Sequence, residues 1–228
     1  FTFKIRKEAA WSDGTPITSK DFQFFYDVML DPKNLTSLFR VSLKRFERPV
    51  AADEKTLIVK VKSQHWNNFY DAGSLFALPG HIWKDNDFNK INFEFPVVSG
   101  PYELGEVKKG RSISLNRRYD WWGRSNRYNT GKYNFDKIIY RSMTDRNKAL
   151  EAFKKGIFDA YRIYTSSIWM KKTDFDQVEK GWVVKQAIYN KEPKGYQGLA
   201  INLRNSKFQD IRVRRALECL LNREAMNE

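Results

Sequence analysis

Apolar and polar residues alternate at the start of the chain. Phe1, Phe3 and Ile5 interleave with Thr2, Lys4 and Arg6, the period of a half-buried strand. Trp11-Ser12-Asp13-Gly14-Thr15-Pro16 follows and predicts a turn, because Gly accepts a positive φ and Pro fixes the next bend. Thr18 or Ser19 can then cap a helix that carries Asp21 in its first turn. Phe22, Phe25, Tyr26 and Met29 recur at helical spacing and give that helix one apolar face. Asp31-Pro32 stops it, since the residue before Pro avoids the helical region. Phe46–Ala51 and Thr56–Val61 predict two strands joined through Asp53-Glu54-Lys55. In the second, Leu57, Val59 and Val61 alternate with Ile58, Lys60 and Lys62, so one face is buried. A short helix is expected near Trp66 and a loop over Leu78–His81.

Pro, Gly and Pro cluster between Phe95 and Tyr102, the expected domain crossing. Beyond it, Tyr102–Leu104 and Ser112–Leu115 predict a hairpin around Lys108-Lys109-Gly110, and Asp136–Arg141 another strand. Asn147–Lys155 reads as a helix with Ala149, Leu150, Ala152 and Phe153 apolar and Gly156 at its C-terminal cap. Strands are expected at Ile157–Ala160, Val183–Tyr189 and Leu199–Leu203. After a polar turn, a helix begins at Asp210 with Val213, Leu217, Leu220 and Leu221 apolar. That helix is still running at Glu228, so a larger protein is expected. The mixture of strands and helices places the chain in the α/β or α+β class. A mixed sheet flanked by helices is expected between Tyr102 and Asp210, with a smaller layer before it.

Composition narrows the function classes. The 228 residues are 41% hydrophobic and 30% charged, as in globular proteins. No apolar run approaches the roughly 18–20 residues of a membrane helix, and no leader sequence is visible. Cys219, the single cysteine, sits at an apolar helical position and reads as a small buried hydrophobe. His65 and His81 lack ligand spacing, so neither a metal nor another cofactor is called for. Ser99-Gly100 is not a nucleophile elbow, and Gly105–Gly110 lacks the Lys-Ser/Thr pair of a phosphate loop. The expectation is a protein that is not an enzyme.

The net charge is +14, and residues 105–148 hold twelve Lys or Arg against four Asp or Glu. Tyr119, Trp121, Trp122, Tyr128 and Tyr133 interleave with these cations. Nucleic acid, anionic lipid and acidic ligands are all compatible with such a surface. No helix-turn-helix, zinc or RRM-type signature accompanies it.

Four local patterns occur in a telling order. They are Phe1–Phe24, with Trp11-Ser12-Asp13-Gly14-Thr15-Pro16 inside it; Ser99-Gly100-Pro101-Tyr102 leading to Asn116–Gly123; Asp145–Asp159; and Ile201–Leu217. Together they resemble family 5 extracytoplasmic solute-binding proteins, the peptide- and oligopeptide-binding subunits of ABC importers. Asn129–Asp136 further resembles the subgroup associated with microcin C and long-peptide uptake, whereas Tyr119-Asp120-Trp121-Trp122 has one residue more than the usual pattern.

The resemblance implies an α/β, periplasmic binding protein-like fold of the bilobal class II type. Residues 1–95 would form a small accessory domain, 96–195 part of the first lobe and 196–228 the start of the second. It implies a periplasmic or lipid-anchored extracytoplasmic location, a peptide ligand, and the permease subunits of the inner membrane as partners. Trp11, Tyr161, Tyr196 and Asn202 are the expected ligand contacts; Trp11 precedes a loop, and Tyr196–Asn202 would pair its backbone with an extended peptide. Two alternatives stay open: another solute on the same scaffold, such as an oligosaccharide or a nickel chelate, and a basic nucleic-acid-binding domain.

Overall fold

A computed structural model describes residues 1–90, 97–191 and 198–222. The chain divides into two compact units, Phe1–Asp159 and Ala160–Glu228.

The first unit begins with a three-stranded antiparallel sheet. β1 (Thr2–Lys4) and β2 (Val50–Asp53) flank the central β3 (Thr56–Ile58). Helix α1 (Ser19–Leu30) is capped by Thr18: its backbone N–H donates to the Asp21 carboxylate at 2.7 Å and its hydroxyl to the same oxygen at 3.1 Å. The apolar face read from the sequence turns inward. Phe25 and Tyr26 pack with Leu43, Phe46, Leu57 and Val59, and α2 (Ser37–Leu43) and α3 (Asn68–Gly73) close the cluster. The buried Tyr26 hydroxyl donates to the Phe46 carbonyl at 2.9 Å, so its polar end is satisfied.

Gly14 turns the chain between β1 and α1 with φ of +85°, and Trp11 N–H donates to the Thr15 carbonyl at 2.8 Å. Asp13 anchors this turn, accepting from Thr15 N–H at 2.9 Å and lying 2.9 Å from His81 Nε2. His81 belongs to α4 (Gly80–Trp83), a short helix where a loop was expected. Pro79 stands at its N-cap, where the missing N–H costs nothing.

Burial is the largest influence on the Asp13 carboxyl and opposes its charge. Hydrogen bonds from the Thr15 backbone, His81 and the Thr15 hydroxyl outweigh it and hold the group below the ordinary value of 3.8. Because the folded value is the lower one, this stabilisation is present above 3.8 and is lost as pH falls through the folded value. Asp13→Asn is therefore expected to cost no more than about 1 kcal/mol at neutral pH, given its partial exposure, and to flatten the acid limb of stability against pH. Urea melts of both proteins from neutral to acid pH check this; an unchanged acid limb would contradict it.

The second sheet, β4 (Tyr102–Lys108), β5 (Ser112–Arg117) and β6 (Lys137–Arg141), is an antiparallel meander in that order. β4 bulges between Leu104 and Val107. A Cβ on Gly105 would lie 2.6 Å from Ser114 Oγ, so only glycine fits the bulge. Ser114 Oγ in turn accepts from Glu106 N–H at 2.7 Å. Helix α5 (Arg146–Lys154) is capped by Asp145, which accepts from the N–H groups of Asn147 and Lys148, and ends at Gly156 with φ of +72°.

Residues 97–101 join the two sheets and are held from both sides. Ser12 N–H donates to Val98 O at 2.9 Å, and Val98 N–H to Ser12 Oγ at 3.0 Å. From the other side, Arg118 reaches the carbonyls of Val98 (3.3 Å) and Gly100 (3.2 Å). Trp121 and Trp122 both donate their indole N–H to Ser99 O, at 2.9 and 3.1 Å. Ala9, Trp11, Ile17 and Val97 form a second core cluster at this junction.

The second unit contains α6 (Ser166–Lys171), α7 (Asp176–Glu179) and α8 (Ile211–Cys219), the last capped by Asp210 accepting from Arg212 N–H.

Several expectations need correction. The sheets are antiparallel among the described residues rather than mixed, because β4, β5 and β6 follow one another and pair with their chain neighbours. Ile157–Ala160, Val183–Tyr189 and Leu199–Leu203 form no strands. Their apolar content suits a strand, but a strand exists only by pairing, and no described segment pairs with them. Cys219 is exposed rather than buried, like most of α8; Val213 within the helix and Leu221 just after it also stand in solvent.

Candidate functional site

Two neighbouring hollows open on the first unit. The first, of about 330 Å³, is apolar: Phe3, Ile5, Phe22, Leu57, Leu75 and Phe76 contribute to its lining. The second, of about 490 Å³, is polar and lined by Arg6, Glu8, Trp122, Ser125–Arg127 and Tyr128. Arg6 and Trp122 line both, so the hollows are neighbours and make up the apolar half and the polar half of the candidate groove.

Among the described residues, the strand that runs along this groove has one edge unpaired. Phe1 and Val59 exchange backbone hydrogen bonds at 2.8 Å, and Ile5 N–H donates to Lys55 O at 2.7 Å. Residues 1, 3 and 5 therefore face β3, and alternation turns the N–H and C=O of Thr2 and Lys4 the other way. Among the described residues β1 is an edge strand, with groups that could pair with an added extended chain.

The polar half is positive. The Arg6 guanidinium lies 3.7 Å from the Glu8 carboxylate, and both side chains are half exposed. Arg127 lies over the Tyr128 ring at 4.8 Å and donates to the Tyr128 hydroxyl at 2.7 Å. Asn126 Oδ1 accepts from Tyr128 N–H at 3.1 Å, capping the 3-10 turn Arg127–Asn129 that holds Arg127 in place.

Much of the remaining basic run is occupied by its own neighbours. Arg117 pairs with Asp136 at 2.6 Å and lies 4.7 Å over the Tyr119 ring, with Arg124 at 5.5 Å from the same ring. Lys108 pairs with Glu106, and Arg118 with Asp120, each at 3.2 Å. Tyr119 and Tyr128 thus each carry a guanidinium against the ring, which leaves less of that ring for base stacking and weighs against the nucleic-acid alternative.

The four expected contact residues are scattered. Trp11 is buried in the core beside Ala9, Ile17 and Val97, with no hydrogen-bond partner for its Nε1 among the described residues. Tyr161 is partly buried in the second unit. Asn202 is exposed there, its Oδ1 accepting from Arg204 N–H at 3.1 Å. Tyr196 lies outside the described residues. Arg6, Glu8 and Arg127 were missed as site residues. Trp122 and Tyr128 were noted as aromatics within the basic run, but nothing local couples them to a strand so far away in the chain. Among the described residues no His/Cys/Asp/Glu group could hold a metal ion, and no helix is long and apolar enough to cross a membrane.

A groove with an apolar half and a polar half is a shape that can hold a solute. The profile of the bacterial extracellular solute-binding proteins, family 5 Middle, matches residues 1–228, and the chain belongs to that family. A Brucella melitensis protein named only for binding is 34% identical over 230 residues, covering 99% of this chain and 37% of the relative. The YejA protein of Agrobacterium fabrum, named as a probable peptide-binding protein, is 28% identical over 99% of this chain and 38% of its own length. The chain thus spans well under half the length of these relatives. Among solved structures, the oligopeptide-binding protein AppA of Bacillus subtilis, bound to a nonapeptide, is 25% identical with a TM-score of 0.56, over 68% of this chain and 31% of AppA. The binding protein AgaA of A. tumefaciens R10, bound to agropinic acid, is 29% identical with a TM-score of 0.58, over 70% and 31%.

Proposed function

We propose that this chain is part of a protein that captures peptides outside the cytoplasm and delivers them to the permease of an ABC importer, without chemistry of its own. The observation that carries the reading is the groove: an apolar hollow beside an unused strand edge suits an extended peptide. Main-chain pairing gives affinity for many sequences, and the apolar hollow takes one side chain. The names of YejA and AppA support the same ligand class. The periplasm as location, the lobes at 96–195 and from 196 onward, the accessory domain at 1–95 and the long-peptide subgroup all belong to this proposal.

A second reading has specific support. AgaA is similar to this chain and was solved with agropinic acid, so a solute other than a peptide on the same scaffold is the competing cargo. Calorimetry on the full-length protein with short peptides and with agropinic acid separates the two. Peptide binding is expected, and Phe76→Asp, which places a charge in the apolar hollow at an exposed position, is expected to weaken it about tenfold or more. Binding of agropinic acid with no heat from any peptide would move the assignment to the second reading.

A further inference from the structure

We propose that the polar half of the groove is a carboxylate subsite, so that the protein prefers peptides bearing a carboxylate one residue beyond an apolar side chain. The proposal rests on the peptide reading above and deepens it. Its first support is the donor inventory. Arg6, Arg127, Ser125, Asn126 and Tyr128 all carry side-chain donors, and Glu8 is the only acidic residue in the lining. Asn126 uses its carbonyl oxygen on Tyr128 N–H, which leaves its amide N–H groups as the part available to a ligand. The second support is charge. Arg6 has Glu8 at 3.7 Å, a loose exposed contact, and Arg127 has no carboxylate within ion-pair distance among the described residues. Two guanidiniums against one carboxylate leave a net positive hollow.

The third support is adjacency. The apolar and polar hollows share Arg6 and Trp122 in their linings, and the proposal seats one side chain of the peptide in the first and its next residue at the second. The planar guanidinium of Arg127 is steadied by the Tyr128 ring and hydroxyl, and it can take a carboxylate through two parallel N–H donors. Glu8 competes with such a ligand for Arg6.

The carboxylate could be a side chain or the peptide's own C-terminus, and three probes distinguish them: Ala-Phe-Glu-amide, Ala-Phe-Gln-amide and Ala-Phe-Gln with a free acid end. Calorimetry uses the full-length protein at about 0.15 M salt, where the field of the distant charges is screened within about 8 Å. At least one carboxylate probe is expected to bind about tenfold tighter than Ala-Phe-Gln-amide, and which one identifies the source. Arg127→Gln is expected to abolish that preference, so that the carboxylate probe loses about tenfold relative to Ala-Phe-Gln-amide measured on the same variant, and Arg127→Lys to restore part of it. Glu8→Gln is expected to tighten the carboxylate probe a few-fold, a gain that a merely structural role would not produce.

Equal affinity for all three probes overturns the subsite and leaves the peptide reading standing. A preference that survives both Arg127→Gln and Arg6→Gln also overturns it, because the general positive charge would then be the cause. No binding of any peptide overturns both.

Discussion

Replacing Phe46 with alanine is expected to cost the first unit about 3–5 kcal/mol, the usual range for a fully buried phenylalanine. Phe46 is 1% exposed and sits where α1, α2 and β3 converge. Its carbonyl also receives the Tyr26 hydroxyl, so backbone relaxation into the cavity would disturb a buried hydrogen bond as well. Such a loss is a large part of the roughly 5–15 kcal/mol that stabilises a typical domain. Leu38→Ala is the control: Leu38 is 87% exposed on α2, and its truncation is expected to stay within about 0.5 kcal/mol. Urea titration followed by tryptophan fluorescence measures both. Equal midpoints for the two variants would show that the cluster around Phe46 is not the core.

The second large effect is expected at Arg118. Its side chain is 4% exposed, an unusual place for a guanidinium. Three partners surround it: the carbonyls of Val98 and Gly100, and the Asp120 carboxylate. Asp120 is 71% exposed, so water screens that pair and it contributes little. The two carbonyls are the main partners, and hydrogen bonds to a charged donor contribute about 1.5–3 kcal/mol each. Arg118→Met keeps the stem and removes the donors, and is expected to cost about 2–4 kcal/mol. Asp120→Asn is expected to cost under about 1 kcal/mol. If instead Asp120→Asn matched Arg118→Met, the ion pair and not the carbonyl lock would hold the junction.

What the sequence made legible was local. The Thr18–Asp21 cap, the Gly14 turn, the hairpin over Gly110 and the Asn147–Lys155 helix stopped at Gly156 all depend on residues within a few positions of one another. What it hid was pairing at a distance. Val183–Tyr189 and Leu199–Leu203 carry strand composition, yet among the described residues no strand pairs with them, and Val183 N–H donates locally to the Gln177 carbonyl instead. Trp11 looked like a residue at a cleft because it precedes a loop; the fold folds that loop back onto Val97 and Val98. The Phe95–Tyr102 break showed that the chain changes course, but not that Ser12, Arg118 and two tryptophans tie residues 97–101 down. The groove was hidden for the same reason, because Arg6 and Trp122 come together only through the packing of the first unit.

The shared acceptor of Trp121 and Trp122 has an optical consequence. The two rings are 5.9 Å apart, inclined at 57°, and both anchored on the carbonyl of Ser99. Aromatic chromophores held in a fixed asymmetric arrangement give a near-ultraviolet circular dichroism that vanishes when tertiary packing loosens, even while helices and strands persist. This indole pair therefore acts as a built-in gauge of the junction: its ellipticity reports whether the sheets on either side are still fastened, with no label attached to the protein.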